Sequence, residues 1–427
     1  MWSDRETLYD CLGYTSYVEV LAQVCLRRDL SPLTLGVFGA WGSGKTSLMS
    51  MLKDRIDRGH ADTKTRTLWF NAWKYEGRDE AQSALVHAIL AKVTEGRTLA
   101  GELKDAVARI TKGASILKLA QFITKTAITL TPDLAGFMEC FGEQSRQIAE
   151  TMEAFERDFA DLLTKAEVDH IVVFIDDLDR CPSAKVIETF ETIKLFLNTP
   201  RCTFVIGADA QRIEQAVSEV YGVADSGRTR DYIEKIVQLP FNIPAQTPQD
   251  IACYVGMLIV GRHFGSGDGW KALAANRANV YSAGDLREEL ARWINDNPTL
   301  FRSQVAIIEN ELAGILPHVA ILGAGLRGNP RQIKRFLNIL ALRRDLAATN
   351  ALGIDDAVLV KMTVLEYVEV EFFNALVDTV DPATGRSLLL AELVTEQEHG
   401  DADASELVAT YRERLRLVSF VKTEPAH

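Results

Sequence analysis

What this chain has little of narrows its class before any motif is read. Its six cysteines (Cys11, Cys25, Cys140, Cys181, Cys202 and Cys253) lie far apart and never in paired spacing. That argues against a zinc site or disulfide framework and for reduced thiols in a cytoplasmic setting. The seven histidines are as scattered, so no structural metal is expected. Basic charge is in deficit: 47 Lys and Arg face 59 Asp and Glu, for a formal net charge of −12. A general binder of phosphate backbones carries a basic domain or stripe, so nucleic acid is not a favoured partner. The first ten residues are polar and lack the apolar core of a signal peptide. The longest stretches free of charge, residues 30–44 and 312–326, fall short of the ~18–20 apolar residues a spanning helix needs. No transmembrane segment is therefore expected, and peripheral membrane contact stays open. Internal repeats and long low-complexity tracts are missing too.

What is present is ordinary for a globular protein, with 47% hydrophobic and 25% charged residues. A chain of 427 residues exceeds one ordinary core, which implies two or three domains or one core with large additions. In its first half, short apolar runs alternate with amphipathic stretches. Residues 33–38, 65–72, 171–175, 202–207 and 237–241 read as strands. Residues 46–58, 79–93, 142–166 and 183–198 carry apolar positions at helical spacing. Such alternation predicts right-handed βαβ crossovers and a mainly parallel sheet. Beyond Pro244 the strand signal fades, and residues 247–263, 310–321, 330–347 and 355–377 read as helices. The end is acidic, with one further helix expected at 406–418. Residues 112–141 are apolar but interrupted by Lys118, Lys125, Pro132 and Asp133, and resist assignment.

The chemistry is concentrated at Gly39-Ala40-Trp41-Gly42-Ser43-Gly44-Lys45-Thr46, which satisfies G-x-x-x-x-G-K-[ST] between a predicted strand and a predicted helix. Glycines let the backbone curl so that successive N–H groups face phosphate oxygens, and the helix adds its positive N-terminus. Gly39, Trp41, Gly42, Ser43, Gly44, Lys45, Thr46 and Ser47 are assigned to the nucleotide. Lys45 is expected on the β- and γ-phosphates and Thr46 on Mg2+. Asp176 and Asp177 end the third strand, where open α/β sheets bind ligands. Asp176 is the expected metal-side carboxylate. Asp177 either orients or deprotonates the attacking water or caps the following loop.

These segments together resemble the KAP family of P-loop NTPases. WFNAWKYE (69–76), FIDDLDRC (174–181), EKIVQLPF (234–241), GNPRQIKRFLN (328–338) and LGYTSYVEVLA (12–22) follow in family order over residues 12–373. The resemblance implies an ASCE-type P-loop core: an α/β fold with a five-stranded sheet ordered 5-1-4-3-2, helices on both faces, a helical insert and a C-terminal α-helical domain. It also implies ATP with Mg2+ as ligands and hydrolysis as activity. Many members carry transmembrane helices between the P-loop and the acidic strand; here residues 112–141 take that place and are too interrupted by charge and proline to span.

On this reading, residues 1–32 are a helical entry and 33–245 the core, with its insert at 95–168. Residues 246–347 form a helical lid and 348–427 an extension with an acidic tail. Asp209 is either a sensor of the γ-phosphate or a loop cap. Glu76 is runner-up to Asp177 for water activation, against an ordinary surface glutamate. Arg331 and Arg335, with Lys334, either reach the γ-phosphate or form a solvated basic face. Arg180, Arg228, Arg230 and Lys235 are candidates for a finger into a neighbouring subunit, while Trp69, Phe70 and Trp73 are expected in the sheet core. The functional expectation is an ATP-hydrolysing switch in bacterial signalling or phage defence, acting as a homo-oligomer or with an unidentified protein partner. Its rivals are a nucleotide-dependent scaffold with negligible turnover and a nucleic-acid-stimulated motor. Kinase activity ranks lower, because the insert lacks an arginine-rich substrate lid.

Overall fold

A computed structural model describes residues 2–59, 64–75, 81–97, 101–111, 142–196, 198–222, 226–264, 288 and 298–399. The unassigned segment 112–141, Glu76 and the helix expected at 406–418 lie outside the described residues. The chain divides into two compact units, one of Glu6–Leu8 and Thr15–Pro244, the other of Met1–Arg5, Tyr9–Tyr14 and Ala245–His427.

The first unit is built on strands β1 (Leu33–Phe38), β2 (Thr65–Asn71), β3 (His170–Asp176), β4 (Cys202–Ala208) and β5 (Leu239–Asn242). They form one sheet ordered β2-β3-β4-β1-β5, and every pairing is parallel. This is the order expected from the family resemblance. All residues of β1, β3 and β4 are buried although successive side chains face opposite ways, so both faces of the central sheet are covered. Of the edge strands, β2 is buried at Thr67 and Phe70 and partly buried elsewhere, and β5 is exposed or partly buried.

Helices α1 (Thr15–Leu26), α2 (Lys45–Gly59), α3 (Ala81–Val93), α4 (Gly142–Lys165) and α5 (Ser183–Lys194) supply the covering layers, with α6 (Ala210–Tyr221) and α7 (Ser226–Glu234) between β4 and β5. One core cluster joins Ile171, Val173 and Ile175 of β3 to Leu85 and Ile89 of α3 and Phe155 and Phe159 of α4. Phe196 meets Phe155 and Phe159 edge-on at centroid separations of 5.2 and 5.1 Å. Such aromatic pairs add about 0.5–1.5 kcal/mol beyond their buried area.

Some boundaries move from their sequence-based positions. The fifth strand begins at Leu239 rather than Val237, because the Val237 N–H still bonds back to the Ile233 carbonyl at 2.8 Å. The helix expected over 183–198 ends at Lys194. Neither α6 nor α7 was anticipated.

The second unit is helical: α8 (Pro248–Phe264), α9 (Pro298–Ile315), α10 (Val319–Gly325), α11 (Pro330–Thr349), α12 (Asp356–Val368), α13 (Val370–Asp378) and α14 (Leu388–His399). The helix expected over 310–321 is interrupted by a short turn, Leu316–His318, where Pro317 removes a backbone donor. That over 355–377 breaks at Glu369 (φ −125°, ψ 61°). Ala306–Gly325, with mean hydropathy 1.3, is long and apolar enough by composition to cross a membrane. The interruption at Leu316–His318 falls inside it, and Ile308, Leu312, Ile315, Val319 and Leu322 pack in this unit's core.

Asn329 caps α11, its side chain accepting from the N–H groups of Arg331 (3.1 Å) and Gln332 (3.3 Å), with Pro330 at the first turn. The chain start is anchored beside that helix. Trp2 N–H donates to Asn338 Oδ1 at 2.6 Å, and its indole N–H to the Leu258 carbonyl at 2.7 Å.

Candidate functional site

The parallel register brings the carboxyl ends of the strands to one rim: Phe38 pairs with Ala208, and Asn71 with Asp176. The P-loop leaves that rim from β1. Its first N–H, on Gly39, donates to the Ala208 carbonyl at 3.3 Å, tying the loop to β4. Gly42 (φ 85°) and Gly44 (φ 97°) then take left-handed conformations that L side chains rarely adopt. The Ser43 N–H closes on the Ala40 carbonyl at 3.1 Å, and the Leu48 N–H on the Gly44 carbonyl at 3.0 Å begins α2. The first N–H groups of that helix have no intrahelical acceptor and carry its positive end. The loop thus curls at its glycines and opens a helix, which is the backbone shape the spacing predicts.

Lys45 is buried (8% exposed). Its ammonium donates to the carbonyls of Gly39 (2.8 Å) and Ala40 (3.2 Å). Its third neighbour is Asp179 Oδ2, 3.4 Å away and itself buried.

Asp176 is 3% exposed at the end of β3. Burial, and then the nearby charge of Asp177, push its carboxyl up to about 6; the Asp177 N–H and the Thr46 hydroxyl act the other way by bonding the ionised form. Thr46 and Asp176 thus meet as hydroxyl and carboxylate. The meeting needs room beneath it: a Cβ on Gly207 of β4 would lie 2.4 Å from Met49 Sδ and 3.1 Å from Asp176 Oδ1.

Asp177 takes a left-handed conformation (φ 58°, ψ 27°) unusual for a residue with a side chain. Both its carboxylate oxygens are engaged. Asn71 Nδ2 donates to Oδ2 at 2.9 Å, and Arg180 Nε lies 2.9 Å from Oδ1. The Arg180 guanidinium in turn sits 5.8 Å from the centre of the Trp73 ring. Trp73 is 47% exposed, so it is not in the sheet core as expected, whereas Phe70 is buried and Trp69 stacks on Phe174.

The remaining assigned residues have neighbours of their own. Trp41 is 45% exposed. Ser47 Oγ accepts the Thr7 N–H at 3.3 Å. Asp209 caps α6, accepting from the Gln211 N–H at 3.1 Å, while its own N–H donates to Asp179 Oδ2 at 3.0 Å. In the helical unit, Arg331 and Arg335 lie 3.8 and 3.6 Å from Asp4, and Lys334 donates to the Ser3 carbonyl at 3.1 Å. Among the finger candidates, Arg230 lies 4.0 Å from Glu214.

Two residues at this rim went unassigned in the sequence: Asn71 and Asp179. The signal for Asp179 was its place as third acid in Asp-Asp-Leu-Asp. Linear spacing does not show that the 3-10 turn Leu178–Arg180 folds it back onto Lys45. Asn71 is the last residue of β2, and only the β2–β3 register places it beside the acidic pair.

A phage T7 exclusion protein of Escherichia coli (strain K12) is 26% identical over 259 residues, 57% of this chain and 34% of that protein. The chain thus spans about a third of that relative's length. Two solved structures of the Aeropyrum pernix ORC2 protein, in ADPNP–ADP and ADP forms, align with 97% of this chain and 82% of theirs. They do so at 14% and 13% identity with TM-scores of 0.38 and 0.39. The model of the KAP family P-loop domain matches residues 14–347, from before the entry helix to the end of the basic helix α11. With that match over most of its length and the phosphate cradle formed at the rim of the sheet, the chain belongs to the KAP family of P-loop NTPases.

Proposed function

We propose that this protein is a Mg2+-dependent, ATP-hydrolysing switch whose nucleotide state governs its assembly with copies of itself or with a protein partner. The observation that carries this reading is the meeting of Thr46 with Asp176 where the glycine loop after β1 faces the end of β3, with the buried Lys45 beside Thr46 in the chain. A hydroxyl and a carboxylate side by side suit Mg2+, a hard cation that takes few protein oxygens and fills its shell with phosphate oxygens and water. Bound there, Mg2+ supplies neutralisation of phosphate charge. The chain's own groups do the remaining work. The N–H groups of Gly42, Gly44, Lys45 and Thr46 hold phosphate oxygens, Lys45 adds a positive charge inside a low-dielectric site, and Asp176 holds its carboxylate toward the Thr46 hydroxyl. Asp177 and Glu76 stay the candidates for orienting the attacking water.

The name of the Escherichia coli relative supports phage exclusion as the biological setting; the scattered cysteines support the cytoplasm as its place. A second reading, a scaffold that binds ATP and turns it over negligibly, draws support from one observation. Both oxygens of Asp177 are already held, by Asn71 and Arg180.

Phosphate release from ATP by the purified chain, set against Lys45→Ala, separates the readings. Turnover abolished by the substitution supports hydrolysis. Equal rates in both proteins sink it, and tight ATP binding without turnover leaves the scaffold. Light scattering in empty, ADP and ATP-analogue states tests the switch, because a mass that ignores nucleotide removes control of self-assembly.

A further inference from the structure

At the rim of the sheet, the nucleotide reading leaves the buried carboxylate of Asp179 without a task. It lies on the turn after β3, and its side chain is about as inaccessible as that of Lys45 (8% against 9% exposed). Its Oδ2 faces two groups at once, the Lys45 ammonium at 3.4 Å and the Asp209 N–H at 3.0 Å. An ammonium has three protons. In Lys45 the three neighbours are the carbonyls of Gly39 and Ala40 and this carboxylate. For Lys45 to meet a phosphate oxygen, it must give up at least one of them. The carbonyls are neutral and belong to the loop that will wrap the phosphates. Asp179 supplies the negative charge, and its bond to the Asp209 N–H holds it in place from the other side.

Removing one member of a buried pair leaves an uncompensated charge, which is strongly unfavourable. An incoming phosphate does not leave Lys45 bare; it replaces one anionic oxygen by another. We propose that Asp179 is a built-in placeholder for nucleotide phosphate: it neutralises Lys45 in the empty site and is exchanged for a phosphate oxygen when ATP enters. Asp179 is then a positioning residue that keeps the P-loop ordered while empty and competes with nucleotide. The inference rests on the nucleotide reading of the site.

The test is calorimetric titration of ATP into the wild-type chain and Asp179→Asn. Asn has the same shape and still accepts from the Asp209 N–H, but it has no charge to offer Lys45. ATP is expected to bind the variant at least about tenfold more tightly, since no ion pair has to be broken. The empty variant is also expected to melt lower than wild type, with the gap narrowing at saturating ATP. A merely structural role would lower both melting temperatures equally and leave the affinity unmoved, and that result overturns the proposal, as does weaker binding. If wild type itself fails to bind ATP, the nucleotide reading falls first and this one with it. Should Asp179→Asn not fold, a structure of the wild-type chain with a non-hydrolysable ATP analogue decides. Lys45 Nζ must then lie more than 4 Å from Asp179, beyond the ion-pair limit; an intact pair beside bound phosphates refutes the exchange.

Discussion

The two ends of β3 hold buried titratable groups under opposite regimes. At the amino end, His170 is buried with its Nε2 in a chain of hydrogen bonds: Thr203 Oγ1 gives its proton to the Cys25 carbonyl at 2.9 Å, and so accepts from His170 Nε2 at 3.0 Å, while the ring's Nδ1 is buried without a hydrogen-bond partner. Burial lowers the imidazole to about 4, so it is neutral at pH 7. Six residues on, Asp176 is as buried; burial first raises its carboxyl, and Asp177 and Asp179 add charge of the same sign that raises it further. One end is arranged for stability. The other stores electrostatic and backbone strain, including the left-handed Asp177, of the kind that ligand sites hold in reserve.

The sharpest way to break this contrast is to neutralise the strained end. Lys45→Ala is expected to abolish nucleotide binding, with a loss in kcat/KM of at least about a hundredfold for a preorganised charge in a buried site. Asp176→Asn is expected to cost turnover on a similar scale while making the empty protein more stable at pH 7. The sign follows from the raised carboxyl. A folded-state value of about 6 against an ordinary 3.8 means this group's favourable contribution is complete below pH 3.8 and is lost as pH rises through 6. Removing the charge recovers up to roughly 3 kcal/mol. Thermal melts of the empty variant that fall below wild type at pH 7 would show that the site end is not strained.

Gly207→Ala sharpens the comparison sterically. The added methyl meets Met49 Sδ at 2.4 Å and Asp176 Oδ1 at 3.1 Å, so the expected loss is about 1–3 kcal/mol, felt first at the rim. Met49→Ala in the same chain should relieve the sulfur contact and restore nucleotide affinity. A double variant no better than Gly207→Ala would assign the clash elsewhere.

How much of this was legible in the sequence follows the same division. The short apolar runs of β1, β3 and β4 announced strands, and the glycine spacing announced the glycine-rich loop. These signals are local, and the folded chain keeps them. What could not be read is what register and turns assemble: Asn71 against Asp177, Asp179 against Lys45, Trp73 under Arg180. Lone polar residues carry no period, and their meaning depends on strands about a hundred residues apart. The break at Glu369 has neither proline nor glycine to mark it, and nothing in the structure explains it. Val237 was misread because an apolar residue at a helix end looks like the start of a strand.

At the stable end the expected effect is smaller. Because His170 is lowered from its ordinary 6.5 to about 4, its neutral form supports the fold above pH 6.5, and that support is lost as pH falls toward 4. The group alone removes roughly 2 kcal/mol between pH 7 and pH 5. His170→Gln, which has no proton to take up, is expected to flatten this limb of a denaturation-against-pH curve measured in the Asp176→Asn background, where the opposing carboxylate is gone. A limb that keeps its slope would place the titrating group elsewhere.

The smallest effect sharpens the boundary between the two regimes. Asp209 stands just past β4, beside the strained rim, yet its carboxylate does the work of an ordinary cap, accepting the Gln211 N–H at the start of α6. If that is its whole role, Asp209→Ala should cost about 1 kcal/mol of stability, the usual loss of an N-cap, and leave kcat and KM for ATP unchanged. Asp209→Ser, which caps as well, should restore the stability. A sensor of the γ-phosphate predicts a different pattern: kcat falls tenfold or more in both variants, because serine replaces the cap but not the carboxylate. The comparison works because the Asp209 N–H that holds Asp179 belongs to the backbone and survives either substitution. Asp179 therefore keeps its anchor, and any change in kcat is traceable to the Asp209 side chain alone.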